Sequence, residues 1–389
     1  MNATQRIIDV LDGKQVDRVP VFCALMEDRG FNEVLGQPLI KPIKMLWNPV
    51  SRFFLDNFGP KLTGPVIQPF IDSTLDKRIK AALVLGFDAT WAIHDRTFTV
   101  LDSKTMVRFS GSIFDLMEDG YGNAIYMYRG PGIKSREDFE AWPWWPDIDD
   151  LAHKDYLFMK KMAAKYGDDI CLVGQGSAYG IQESMLWAIG FERMPVWIKR
   201  EKDLIDRYIS WAEEVCMKTI MAIMDAGIKV VIQTDDFAFK TGPMMRPKLI
   251  DELFGPSYTR IIKAVHDRGG RYIHHSCGDN TLLFDYFIKW GADGCHGYEN
   301  TSNVDINRQK RERGDRLTIV GGVGVDYILS ERSKDEEVVE EVRRLIRELA
   351  PGGRYILSAA HGLSSMPAHK QKVMVDACKQ YGNYPISGI

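Results

Sequence analysis

Short apolar, β-branched runs alternate with longer amphipathic stretches along most of the chain. Val19–Leu25 (VPVFCAL) predicts a first strand, and Ala89–Ile93 (ATWAI) a second after a helix-like segment over Arg78–Leu85. Ile170–Gly174, Val230–Thr234, Arg271–His275, Gly294–Tyr298, Leu317–Val320 and Arg354–Ser358 continue the series. Between the later strands, Pro247–Arg268, Asp335–Leu349 and Met366–Tyr381 read as helices. Such alternation builds parallel βαβ units, and eight of them close a (β/α)8 barrel. The expected fold class is therefore α/β, a TIM barrel; an open doubly wound sheet is the rival, usually with fewer strands.

Two stretches fall outside the repeat. Met1–Arg18 reads as helical and is expected to cap the bottom of the barrel. Thr97–Gly130 alternates aromatic and polar residues between Gly-rich turns, which predicts an antiparallel β-hairpin inserted after strand 2. It leads into WPWWPDIDD at 142–150, read as a rigid packed loop. No Gly-, Ser- or Pro-rich linker and no solenoid-length repeat interrupts the chain, so 1–389 is read as one domain.

Composition narrows the function classes. With 50 Lys+Arg against 53 Asp+Glu the formal charge is −3, and no basic run marks a nucleic-acid or polybasic membrane surface. Hydrophobic residues at 45% and charged residues at 26% exclude disorder and a disulfide scaffold. No apolar run approaches a membrane span, and the polar start MNATQRIIDVLDGKQVDR lacks a secretory core, so a cytoplasmic protein is expected. The cysteines at 23, 171, 216, 277, 295 and 378 are dispersed and form no CxxC pair.

A barrel places its chemistry where strands end at the carboxyl side. Those positions hold Met26-Glu27-Asp28-Arg29, His94-Asp95-Arg96, Gln175, Asp235-Asp236, His275-Ser276-Cys277-Gly278, Glu299-Asn300, Gly321-Gly322 and His361-Gly362. In His275-x-Cys277 an extended segment turns imidazole and thiolate the same way, so both can hold one zinc ion. His361 is the best third ligand, with Asp235, Asp236, Glu183 and Glu299 as oxygen donors in reserve. The competing reading makes Cys277 a buried thiol and His275 a core histidine, and His274 competes with His275 for the inward position. Asp95, Asp236 and Glu183 are candidates for acid–base or substrate-orienting work, and only one of Asp235 and Asp236 should enter the pocket. Helix capping is the competing role for the aspartates. Gly321-Gly322 reads as a tight turn or a close approach of backbone to substrate, and GVGVD does not match a dinucleotide fingerprint. Cys295 and His296 read as interior packing.

Six longer stretches make the chain resemble the uroporphyrinogen decarboxylase superfamily over nearly its whole length. They are RIIDVLDGKQVDRVPV (6–21), GFDATWAIHD (86–95), DDFAFKTGPMMRPKLIDELFGP (235–256), HSCG (275–278), GDRLTIVGGV (314–323) and APGGRYILSAAH (350–361). The resemblance implies a (β/α)8 barrel with its pocket at the carboxyl face. Decarboxylases of this family need no cofactor. They bind propionates through an Arg-rich motif like RQAGRY and end the second strand in Asp, which Asp95 matches. His361 falls where they carry a His before Gly. That Arg-rich motif is absent here, and Glu27 and Asp28 would repel a polycarboxylate.

The family's other branch holds cobamide-dependent methyltransferases, including coenzyme M methyltransferases and O-demethylases, whose zinc motif is HxC followed by a distant Cys. His275 and Cys277 match it, and His361 stands in place of the last Cys. More nitrogen and oxygen around zinc suits polarising an ether oxygen, whereas a sulfur-rich site suits binding a thiol. The resemblance thus implies a zinc-dependent methyltransferase. It would move a methyl group from a small methylated or methoxylated substrate, aromatic ones included, to the Co(I) of a cobamide carried by a partner corrinoid protein. A decarboxylase and a methylcobamide:thiol methyltransferase are the alternatives. A homodimer is the family's common habit.

Overall fold

The computed structural model describes residues 1–24, 28–37, 46–118, 124–177, 179–298, 301–362 and 366–386. β1 (Val21–Cys23) and β2 (Ala89–Ile93) precede an inserted group: β3 (Phe98–Val100), β4 (Thr105–Arg108), β5 (Ser112–Glu118) and β6 (Ala124–Pro131). β7 (Cys171–Gln175) and β8 (Val230–Thr234) follow, then a short ribbon of β9 (Ala238–Phe239) and β10 (Gly242–Pro243). β11 (Arg271–His275), β12 (Gly294–Tyr298), β13 (Thr318–Val323) and β14 (Tyr355–Ala359) complete the series. The eight expected strands close a parallel barrel in the order β1-β14-β13-β12-β11-β8-β7-β2.

The period of two along each strand sorts side chains between two layers. Phe22, Ala89, Trp91, Cys171, Val173, Val230, Ile232, Ile273, Val320 and Ile356 fill the barrel interior. The helix Ala3–Leu11 adds Ile7, Val10 and Leu11 to that cluster and so forms the expected cap. Alternate residues such as Val231, Tyr272, Ile319 and Leu357 belong to the outer core beneath the helices. Each such buried side chain contributes about 1.5–3 kcal/mol.

Electrostatics ties the cap down. Asp88, just before β2, accepts Arg6 Nη1 at 2.9 Å, Arg18 Nη1 at 2.7 Å, Arg18 Nη2 at 2.5 Å and the Val21 N–H at 2.9 Å. The N-terminal stretch thus holds cap, first strand and second strand together.

Four expectations change in detail. The insertion after β2 is a four-stranded antiparallel sheet, β3-β4-β5-β6, with its own core around Leu55, Phe98, Val100, Met106 and Phe114. Its first turn, Leu101-Asp102-Ser103-Lys104, contains no glycine; the Asp102 carboxylate closes it by accepting the Lys104 N–H at 2.7 Å. The packed loop at 142–150 passes into the helix Ile148–Tyr166, whose first turn Asp147 caps through the N–H groups of Asp149 and Asp150. Gly321 and Gly322 lie inside β13, paired with Leu357 and Ser358 of β14, so they form neither a turn nor a loop. Leu25, Met26, Glu27, Glu299 and Asn300 lie outside the described residues.

Candidate active site at the carboxyl end of the barrel

Inward-facing positions on β11 alternate as Arg271, Ile273 and His275, which leaves Tyr272 and His274 facing the helices. His274 stacks on Phe237 (ring centroids 5.5 Å apart) and lies 4.4 Å from the Phe287 ring. Burial in that apolar layer pushes its imidazole down to about 3, as befits a core histidine. His275 instead enters the barrel mouth, beside the Trp91 ring at 5.2 Å. Burial, then the neighbouring imidazoles of His296, His274 and His361, hold it well below its ordinary value and therefore neutral.

The chain leaves β11 through a loop that its own side chains lock. Ser276 Oγ accepts the Phe237 N–H at 3.0 Å, and Asn280 Nδ2 donates to the carbonyls of Ser276, Cys277 and Gly278 at 2.9, 3.0 and 3.3 Å. The Cys277 N–H donates to Asp236 Oδ1 at 2.7 Å, and Cys277 Sγ lies 3.4 Å from His275 Nε2. Ligand atoms of Asp236, His275 and Cys277 all lie within 4.8 Å of one another.

That set suits zinc. Two ligands of a tetrahedral zinc, with bonds of about 2.3 Å to sulfur and about 2.05 Å to nitrogen, sit about 3.6 Å apart, close to the 3.4 Å between Sγ and Nε2. A neutral imidazole, a thiolate and a carboxylate are also the ligands zinc accepts. His361 is outside the three-residue group: its Nδ1 lies 3.1 Å from the Gly362 carbonyl, and it lines a neighbouring cavity of about 100 Å³ with Thr301, Val325 and Tyr327.

The paired aspartates after β8 divide their work. Asp235 is fully buried and accepts the Tyr258 hydroxyl at 2.6 Å, the Gln182 N–H at 2.9 Å and the Glu183 N–H at 2.7 Å. It therefore caps the helix Ile181–Ile189 from another segment of the chain. Gly180 permits this, since a Cβ there would stand 2.1 Å from that of Asp235. Burial pushes the Asp235 carboxyl up to about 7, although those hydrogen bonds pull the other way. Asp236 turns to Cys277 instead.

Glu183, in the first turn of the same helix, is buried next to both aspartates. Burial, then the charges of Asp236 and Asp235, raise its carboxyl well above the usual range against the pull of Arg108. Asp95, from the end of β2, accepts Thr97 N and Oγ1 at 3.0 and 2.7 Å and Arg108 Nη1 at 2.9 Å. The Arg108 charge and the Thr97 bonds outweigh burial, so Asp95 lies below the ordinary carboxylate value. Arg108 also donates to the Tyr179 hydroxyl at 3.0 Å and sits 4.1 Å from the centre of that ring. Arg108 and Tyr179 were not among the sequence candidates. Neither was His296, whose Nδ1 lies 2.6 Å from His275 Nδ1.

The family model described as Uroporphyrinogen decarboxylase (URO-D) matches residues 146–381, well over half of the chain. A methyltransferase from Methanosarcina mazei has a similar structure: TM-score 0.66 and 17% identity, covering 98% of this chain and 99% of that one. A B12-independent methionine synthase from Shewanella sp. W3-18-1 matches with TM-score 0.47 and 13% identity, over 82% of this chain and 88% of that one. At 17% identity the likeness to the Methanosarcina protein is one of fold alone. A search of curated proteins gives no significant match.

Proposed function

The chain belongs to the uroporphyrinogen decarboxylase family, and we propose that within it this protein is a zinc-dependent methyltransferase. It takes a methyl group from a small methylated or methoxylated substrate, such as a methoxylated aromatic, and passes it to the Co(I) of a corrinoid protein. The observation that carries this reading is the convergence of His275, Cys277 and Asp236 at the barrel mouth. The three are the residues that would hold zinc. A cofactor-free decarboxylase has no use for such a donor set. The fold shared with the Methanosarcina methyltransferase is compatible with the reading.

Zinc held there would supply Lewis acidity to an ether oxygen. The chain's own residues do the rest. Glu183 holds a proton beside Asp236, because burial and two neighbouring carboxylates disfavour its ionised form. When the C–O bond breaks, its electron pair stays on oxygen and that proton converts the oxygen to a hydroxyl. Asp95 fixes the Arg108 guanidinium against the Tyr179 ring. This makes a flat cationic wall that orients an aromatic or anionic substrate. His361, near enough for its charge to bear on His275, is a further metal or substrate contact in this reading. The mouth must also admit the corrinoid, so a protein partner is part of the reading.

The test mixes zinc-loaded protein, a methoxylated aromatic and a reduced corrinoid protein, and follows loss of the Co(I) spectrum with appearance of the phenol. Turnover that disappears in Cys277→Ala is expected. Release of CO2 from a carboxylated substrate by chelator-treated protein, with no methyl transfer in any combination, would overturn the reading.

A further inference from the structure

The completely buried imidazole of His296 lies next to the donor set, and the proposed chemistry gives it no task. On β12 it pairs in register with His275 of β11. Its Nε2 lies 3.1 Å from the Ala359 carbonyl oxygen, which only accepts, so Nε2 carries the proton. Ser358 Oγ, 3.4 Å from the same nitrogen, spends its own proton on that carbonyl at 2.9 Å and likewise offers lone pairs. A neutral imidazole protonated at Nε2 has a lone pair at Nδ1. The 2.6 Å contact between the two Nδ1 atoms then requires the shared proton to come from His275. His275 is left with its lone pair on Nε2, the atom 3.4 Å from Cys277 Sγ.

We infer that His296 is a positioning residue that relays the Ala359 carbonyl through two imidazoles and fixes His275 in the tautomer able to bind a metal through Nε2. The inference rests on the zinc reading above. The surroundings hold both rings: Phe22 and Trp91 meet His296 edge-on, with centroids 5.6 and 5.8 Å away. Gly297, at φ +108°, leaves room, since a Cβ there would stand 3.3 Å from His275 Cε1 and 2.7 Å from the Ser276 carbonyl oxygen. A hydrogen-bonded partner behind a metal-binding histidine fixes ring orientation, and losing it costs about 10–100-fold in metal affinity.

Two measurements test this. In the metal-free protein labelled with 15N at histidine, two-bond 1H–15N spectra should show His275 as the Nδ1–H tautomer and His296 as Nε2–H. In zinc competition against a chromophoric chelator, His296→Phe should raise the zinc Kd about 10–100-fold. His296→Gln, which keeps a carbonyl acceptor, should recover part of the loss. His275 in the Nε2–H form, or an unchanged zinc Kd in a folded His296→Phe protein, would overturn the inference. Wild-type protein that takes up no zinc would sink the zinc reading instead, with the wild-type spectra still deciding the relay. The same spectra decide it if the Phe variant does not fold.

Discussion

Asp236 accepts the backbone N–H of Cys277 at 2.7 Å, so one carboxylate both joins the donor set and fixes the loop that carries the thiol. The two roles separate by substitution. Asp236→Asn keeps an oxygen for the N–H but loses the charge, and should weaken zinc binding about tenfold or more while leaving thermal unfolding nearly unchanged. Asp236→Ala should weaken zinc binding further and lower the unfolding temperature. Chelator competition and calorimetry read the pair; equal zinc affinity in all three proteins would remove Asp236 from the site.

Asp235 makes the opposite case, as a structural acceptor for Tyr258, Gln182 and Glu183. Asp235→Ala strands three buried donors and should cost about 3–5 kcal/mol in urea unfolding. Asp235→Asn should cost less, because it keeps an acceptor and because burial has already brought this carboxyl up to about 7. Equal losses in the two variants would contradict the capping role.

Much of the barrel is legible in the sequence. Ala89–Ile93, Val230–Thr234, Arg271–His275 and Gly294–Tyr298 were predicted residue for residue, because β-branched and apolar runs end there at polar rim residues. The period of two also decides between His274 and His275 once Ile273 is known to face inward. Arg108 and Tyr179 were not legible, because they reach Asp95 from an inserted strand and a loop whose docking no spacing encodes. His296 looked like packing, since its partner is a residue of the neighbouring strand, visible only in register. Gly321 and Gly322 misled for a different reason: glycine signals a turn locally, yet the ladder to β14 holds both in the strand.

His94 should contribute a pH-dependent share of stability. Burial lowers its pKa, but hydrogen bonds to Asp155 at 2.7 Å and Asp72 at 3.2 Å outweigh it and the opposing Arg96, so the folded value is raised. A raised folded value means the contribution is complete below the unfolded pKa of about 6.5 and is lost as pH rises through the folded value. The stability difference between wild type and His94→Gln should therefore be largest near pH 6 and shrink toward pH 9. A difference independent of pH would contradict the charged pair.

Removing Asp88 tests the cap without touching the site. Asp88→Ala leaves the Arg6 and Arg18 side chains, 8% and 17% exposed, without their shared carboxylate. A loss of about 3–5 kcal/mol is expected, with zinc stoichiometry unchanged at temperatures where the variant is folded. Thermal unfolding beside metal analysis measures both.

The most direct measurement is the metal content of the purified protein, determined by mass spectrometry beside Cys277→Ala. Close to one zinc per chain is expected in the wild type, and none in the variant. No zinc after anaerobic purification with added zinc, or full retention of zinc by the variant, would contradict the zinc reading.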